Sequence, residues 1–339
     1  MTNISIALAT FNGSQFLNEQ LSSYVSQTVL PDELIVSDDG SQDATLDIIA
    51  EFARTAPFPV RIISGEPHLG FADNFFRAAR ACSGRFIAFS DQDDVWRPTK
   101  LALAQRRLQQ DDSWVALHTS VLTDVALAPM GVLTQGITAS RVCEPLELDP
   151  YVGLGWGNTM MFDRRLLELV PPEERPRQPE APDRPLSHDT WIYAFGAALG
   201  RVSHIEESLC LYRQHQGNAF GSRKRGLVER IGAALEAPLS RHRSRVEFYQ
   251  ALEAIFDRLS ATQPGDIAER ARRAAHVYRQ RWQQLQTRIN IYTGETFQTR
   301  MGQFIQFSRT ATSDVHAPSP MLSRLKDMVI GVCGMGRIR

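Results

Sequence analysis

The chain is poor in lysine, in cysteine and in long apolar runs. Of its 37 basic residues, 34 are arginine and three are lysine (Lys100, Lys224, Lys326). The four cysteines, Cys82, Cys143, Cys210 and Cys333, lie far apart. That excludes a disulfide framework and the paired spacing of a cysteine zinc site, and they read as reduced thiols. No stretch approaches the roughly 20 apolar residues that span a bilayer. Met1 to Thr10 lacks the basic flank and cleavage pattern of a secretory signal, so a cytoplasmic location is expected. Net charge is low as well: 37 basic against 38 acidic residues leave −1, which argues against a general nucleic-acid binder.

What is present is unevenly distributed. Residues 1–220 carry 17 basic and 28 acidic residues, a balance of −11, whereas residues 221–339 carry 20 and 10, a balance of +10. With 339 residues, 43% of them apolar, the chain has room for two folded parts. We divide it at that charge boundary into a domain of residues 1–220 and an arginine-rich helical region of residues 221–339.

The first 95 residues alternate short β runs with helix-period segments. Ile4–Ala9, Glu33–Ser37, Val60–Ile63 and Arg85–Phe89 read as strands, and helices are expected through Val25, over Asp43–Arg54 and over Gly70–Ala81. This order predicts an α/β fold with a mostly parallel, Rossmann-like sheet flanked by helices. Ligands of such sheets bind beyond the carboxyl ends of the strands. Those ends read Thr10-Phe11-Asn12, Asp38-Asp39 and Asp91-Gln92-Asp93-Asp94, so polar and acidic residues converge on one edge. Pro171–Pro185 holds six prolines and is expected to be an exposed, mobile loop. Val115–His118 and Thr159–Phe162 read as further strands, and an apolar helix over His188–Leu199 and a last strand at Leu209–His215 follow. Helices are expected over Leu227–Leu235, Ser244–Leu259 and Ile267–Tyr292.

Three carboxylates within four residues repel one another, and a hard cation such as Mn²⁺ or Mg²⁺, which favours oxygen ligands and substrate phosphates, would relieve that. The solvated acidic turn is the plainer alternative. In this setting the motifs Ala9-Thr10-Phe11-Asn12, Ser37-Asp38-Asp39-Gly40-Ser41, Leu69-Gly70 with Asn74, and Ser90-Asp91-Gln92-Asp93-Asp94-Val95-Trp96 together resemble the family 2 glycosyltransferases of GT-A fold. The resemblance covers roughly residues 3–220. The Ser-Asp-Gln-Asp-Asp-x-Trp form looks most like the rhamnosyltransferase-like branch that builds bacterial surface polysaccharides.

The resemblance implies a set of roles. Thr10, Asn12 and Asp39, with Asp38 in support, would hold the base and ribose of a UDP-, dTDP- or GDP-linked sugar, and Gly70 and Asn74 would shape that loop. Asp93 would ligate the metal, Asp91 would contact ribose or ligate through water, and His215 would complete the metal shell. Arg213 would meet the diphosphate. Asp94, Trp156, Gly157, Asn158 and His188 would lie on the sugar and acceptor side. Asp189, in His188-Asp189-Thr190-Trp191, would be the base of an inverting transfer. The acceptor would be a saccharide, free or lipid-linked. Helix-cap duty for Asp189 and turn duty for Asp38 or Asp39 are the structural alternatives.

Two other readings stand beside this one. Asp91–Val95 also fits the nucleophile pattern of haloacid-dehalogenase-type phosphatases. Those place it on the first strand and need a later lysine, and none of the three lysines is well placed for that. A catalytically inactive scaffold of the same fold is the second. The tail lies outside the resemblance. Packing as a small second unit, contact between copies of the chain and peripheral contact with the inner face of the plasma membrane all stay open for it.

Overall fold

The computed structural model describes residues 3–65, 68–151, 155–169, 171–179, 181–215, 239–310, 324–325 and 327–333. They form two compact units, one of Met1–Arg175 with Leu186–Ser222 and one of Pro176–Pro185 with Arg223–Arg339.

The first unit is built on a sheet. β1 (Ile4–Thr10), β2 (Glu33–Asp38), β3 (Val60–Ser64) and β4 (Phe86–Ser90) lie in the order β3-β2-β1-β4, all parallel. Every residue of β1 is buried, as expected for a central strand covered on both faces. The helices α1 (Leu17–Val25), α2 (Thr45–Thr55) and α3 (Phe71–Ala81) alternate with these strands.

Beyond β4 the pattern changes. β5 is Val95–Trp96, α4 is Lys100–Gln110, and β6 (Ser113–Thr123), β7 (Pro129–Leu133) and β8 (Arg141–Cys143) follow. A 3₁₀ turn at Gly157–Thr159 leads into β9 (Met160–Asp163), which sits antiparallel between β4 and β6. α5 (Arg165–Leu169) follows β9. After β10 (Arg177–Gln178), β11 (Ala181–Pro185) and α6 (His188–Leu199), β12 (Arg201–Arg213) pairs parallel with β6. The sheet is therefore a parallel block joined through antiparallel β9 to a second parallel pair. The core beneath it takes in Ile6, Leu8, Leu21, Val36, Ala88, Leu101, Leu108, Met161 and Cys210.

Some elements depart from expectation for visible reasons. The proline-rich stretch contains the β10–β11 hairpin, in place of a wholly irregular loop; four of its six prolines fall outside the two strands and the other two, Pro182 and Pro185, lie in β11 of an isolated pair, where few ladder bonds are lost. β12 starts at Arg201, eight residues before the expected strand. Glu206 and Glu207 are exposed at a register shift between Ile205 and Ser208, and this bulge hides the strand in the sequence pattern. Cys82, Cys143 and Cys210 are free and buried, and Cys333 is free and exposed.

Apart from the β10–β11 hairpin, the second unit is helical where described. α7 (Leu239–Thr262), α8 (Gly265–Thr293) and α9 (Phe297–Thr310) carry it. Tyr278 stacks between Tyr249 and Phe256 at centroid distances of 5.9 and 5.5 Å. Arg288 and Tyr292 both hold Asp327. Arg270, Arg272 and Arg279 are paired with Asp266, Glu269 and Glu253 respectively. The helix expected over Leu227–Leu235 lies outside the described residues. Among the described residues no helix is long and apolar enough to cross a membrane.

Candidate active site

The carboxyl ends of β1, β2 and β4, with the start of α6, border a cleft of about 320 Å³. Its floor and walls bring together Thr10, Asp39 and Asn74 from one side, and Asp91 and Asp93 from the β4 end. Trp156, Gly157, Asn158, His188 and Asp189 form the other side.

The β2 end shows how two adjacent aspartates divide their work. Asp38 is buried and accepts from Gly40 N, Ser41 N, Ser41 Oγ and Thr10 Oγ1, so it closes the turn and ties β1 to β2. Asp39, one residue on, points the other way. Its Oδ1 accepts from Leu69 N at 2.7 Å and its Oδ2 from Gly70 N at 2.8 Å, with His68 Nδ1 3.0 Å away. It clamps the loop in which Gly70 takes φ 80°, a left-handed conformation suited to glycine. Asn74 donates to Thr10 O and accepts from Arg77, whose guanidinium also reaches Ser37 Oγ and Asp38 O. Asn12 takes φ 49° and holds Gln42 N through Oδ1; it stands outside the cleft lining.

The β4 end is crowded with negative charge. Burial first, then the Asp94, Asp93 and Asp189 carboxylates, pushes Asp91 well above the usual carboxylate range. Asp94 is pushed up to about 7, by burial and then by Asp93. Asp93 Oδ2 is 2.7 Å from His215 Nε2, and the His215 ring lies 4.9 Å from Phe16.

Two expected roles are corrected by position. Asp94, expected at the sugar, is fully buried and absent from the lining. It accepts from Asn158 Nδ2 at 2.7 Å and from Arg213 N at 3.2 Å. Arg213, expected at the diphosphate, is buried with its guanidinium committed to Asp93 O, Val125 O and Glu19. A guanidinium so engaged braces the acidic loop from behind.

Lys100, the only lysine of the first 220 residues, was not expected here. It is fully buried. Its Nζ donates to Asn158 O at 2.5 Å and sits 3.8 Å from the centroid of Trp96. Burial draws its pKa down to about 8, against the pull of Cys210, Asp94 and Asp91. Lysine fits this space because an ammonium needs fewer partners than a guanidinium. Gln92, between Asp91 and Asp93, also lines the cleft, although the resemblance assigns it no role.

Asp189, which also lines the cleft, occupies the first turn of α6. Its Oδ1 accepts from Ser187 Oγ and from Thr190 N at 2.6 Å, and its Oδ2 accepts from Gly157 N at 3.2 Å. A Cβ on Gly157 would come within 2.7 Å of His188 Nε2, so glycine is required there. His188 is buried, stacked on Phe75 at 3.9 Å and set edge-on to Phe71 and Phe89. Neither ring nitrogen has a hydrogen-bond partner among the described residues. Burial lowers its pKa to about 4. The neighbouring segment Gly153-Leu154 and the Gly217-Asn218 pair lie outside the described residues.

A family model for glycosyl transferase family 2 matches residues 5–169. The dTDP-rhamnosyl transferase RfbG of Shigella flexneri is 36% identical over 221 residues, which are 63% of this chain and 74% of that protein. The chain belongs to glycosyltransferase family 2. A second relative in Escherichia coli is named UDP-Glc:alpha-D-GlcNAc-diphosphoundecaprenol beta-1,3-glucosyltransferase WfgD. It is 28% identical over 48% of this chain and 61% of its own length. Across several curated relatives the matched part spans about two thirds to three quarters of their length. A crystal structure of S. aureus TarS in complex with UDP-GlcNAc superposes with a TM-score of 0.53 at 17% identity. The match covers 96% of this chain and 88% of that one, and it shows the fold alone. This glycosyltransferase thus has the GT-A fold, and the phosphatase reading falls with the family.

Proposed function

We propose that this glycosyltransferase moves a sugar from a nucleoside diphosphate sugar to a saccharide or lipid-linked saccharide in bacterial surface polysaccharide synthesis. The transfer would be an inverting displacement supported by a divalent cation. The observation that carries the reading is that Asp91, Asp93 and Asp189 all line one cleft, with Asp189 near enough to help push the Asp91 carboxyl up. RfbG, named a dTDP-rhamnosyl transferase, makes dTDP-rhamnose the first donor to try. WfgD, whose name carries a diphosphoundecaprenol acceptor, supports a lipid-linked one. Such an acceptor would place the protein at the inner face of the plasma membrane.

The residues fit a cation shared with substrate. Among the described residues no group of three or more His, Cys, Asp or Glu side chains is placed to hold a metal unaided. Asp93 and Asp91 nevertheless offer hard oxygen donors in an under-compensated carboxylate cluster, with the borderline imidazole of His215 on Asp93, a set that Mg²⁺ or Mn²⁺ would complete with phosphate and water. Bound there, the cation would offset charge on the departing diphosphate.

Asp189 would take the acceptor proton. Ser187 and Thr190 fix its Oδ1, which leaves Oδ2, with its single long bond to Gly157 N, as the oxygen that faces an incoming hydroxyl. Thr10, Asp39 and Asn74 would shape the nucleoside end, with Asp38 and Gly70 holding the loops. Trp156, Gly157, Asn158 and His188 would wall the sugar and acceptor end.

The test is a thermal-shift panel of UDP, GDP and dTDP sugars, each with and without Mn²⁺, run on wild type and on Asp189→Asn. Both proteins should be stabilised by the same donor. Transfer by Asp189→Asn should fall by about 10³-fold or more, the scale of losing a general base together with the charge beside the reacting hydroxyl. Full transfer activity in that variant would remove Asp189 as the base, and no stabilisation by any donor would favour the inactive scaffold.

A further inference from the structure

The side chain between the two metal-side aspartates does something that a spacer would not. Backbone pairing between β1 and β4 ends at Leu8 and Ser90. Past that point the Gln92 amide takes over. Its Oε1 accepts from Phe11 N at 2.9 Å, and its Nε2 donates to Phe11 O at 3.0 Å. One side chain thus satisfies both main-chain groups of one residue, as a neighbouring strand would. Phe11 and Gln92 both line the cleft.

Gly13 makes this possible. A Cβ at that position would lie 2.2 Å from Gln92 Oε1 and 2.4 Å from Gln92 Cδ, so any other residue drives the amide off the Phe11 backbone. Gly13 does not need glycine for its own φ, which lies outside the left-handed region. Its requirement comes from Gln92.

We propose that Gln92 is a positioning residue that couples the two ends of the donor cleft, with Gly13 as its obligatory partner. Phe11 belongs to the strand end that would hold the nucleoside, and Asp91 and Asp93 flank Gln92 on the loop that would hold the diphosphate. Fastening one to the other fixes the distance between two half-sites. A ligand that occupies both then binds without first having to order them. This rests on the nucleoside diphosphate reading above.

Isothermal titration with UDP, GDP and dTDP in Mn²⁺, and with the matching nucleoside monophosphates, tests it on wild type, Gln92→Ala, Gly13→Ala and the double variant. Gln92→Met, of the same length but without the amide, separates lost hydrogen bonds from lost bulk. Each single variant should weaken the preferred nucleoside diphosphate about tenfold, through two lost hydrogen bonds. The nucleoside monophosphate should change less than twofold. The double variant should lose about tenfold, not a hundredfold, because both substitutions break the same fastening. Donor KM should rise with kcat changed far less. Wild-type affinity in Gln92→Ala and Gln92→Met, or losses that multiply in the double variant, would overturn the coupling. Equal weakening of monophosphate and diphosphate would reduce Gln92 to a local support and overturn it as well. If wild type itself bound none of the three diphosphates, the donor reading would fall, a result distinct from either of these.

Discussion

His188→Phe should change how stability responds to acid. In the folded chain the imidazole is buried among Phe71, Phe75 and Phe89, and burial holds its pKa at about 4 against an ordinary value of 6.5; Asp189 pulls it up and Arg175 pushes it down. Above pH 6.5 both folded and unfolded chains carry this histidine neutral, so it contributes no pH dependence. Between 6.5 and about 4 the unfolded chain binds a proton that the folded chain refuses, and stability falls as pH falls. Over about 2.5 pH units, at about 1.4 kcal/mol per unit, the full loss is about 3 kcal/mol, and about 2 kcal/mol of it has appeared by pH 5. Phenylalanine keeps the stack on Phe75 and removes the titration. Urea unfolding of both proteins at pH 7 and pH 5, followed by tryptophan fluorescence, gives two differences. Wild type should lose about 2 kcal/mol more than the variant between these values. His118 and His204, also lowered by burial, remain in both proteins and cancel. Curves that stay parallel from pH 7 to pH 5 would refute the buried neutral imidazole, whatever the variant does to absolute stability.

Two further outcomes follow from the same geometry. Asp93→Ala removes the carboxylate paired with His215 and should abolish the Mn²⁺-dependent part of donor binding in the thermal-shift assay; an undiminished Mn²⁺ effect would take Asp93 out of the metal site. Lys100→Met keeps the buried stem over Trp96 but strips the positive charge from beneath Asp91 and Asp94. It should cost about 3–5 kcal/mol in urea unfolding at pH 7, as removing one partner of a buried charge group does, and a cost under about 1 kcal/mol would show that the ammonium is not their countercharge.

The parallel half of the sheet was legible because its strands are nearly pure apolar runs, and because each ends on a break such as Asn12-Gly13 or Asp39-Gly40. α6 was legible to within a residue from the apolar run after His188-Asp189. The second half was less so. β6 and β9 were legible as the apolar runs Val115–His118 and Thr159–Phe162, though not their pairing, whereas β12 was legible only from Leu209, because a bulge puts two glutamates in series. That interruption breaks the local strand pattern, so periodicity could not find the strand's first half. α4 escaped notice although Leu101, Ala104 and Leu108 mark its buried face, since arginine and glutamine dominate the rest.

The site residues were legible by place more than by task, because adjacent carboxylates at a strand end or in the loop beyond it take different partners. Asp38 turns inward and accepts four hydrogen bonds, whereas Asp39 faces the cleft. Asp94 turns inward onto Asn158 and the Arg213 backbone, whereas Asp93 faces the cleft and His215. A motif written in letters treats both members of each pair alike. The inward members need partners that the motif does not contain, and those partners come from distant segments: Lys100 on α4, Asn158 before β9, Arg213 at the end of β12. The carboxylates at the site are therefore answered by the buried Lys100 ammonium, by the buried Arg213 guanidinium on Asp93 O and by whatever cation joins them. Lys100, the one lysine in residues 1–220, is the sequence signal that was available for the first of these.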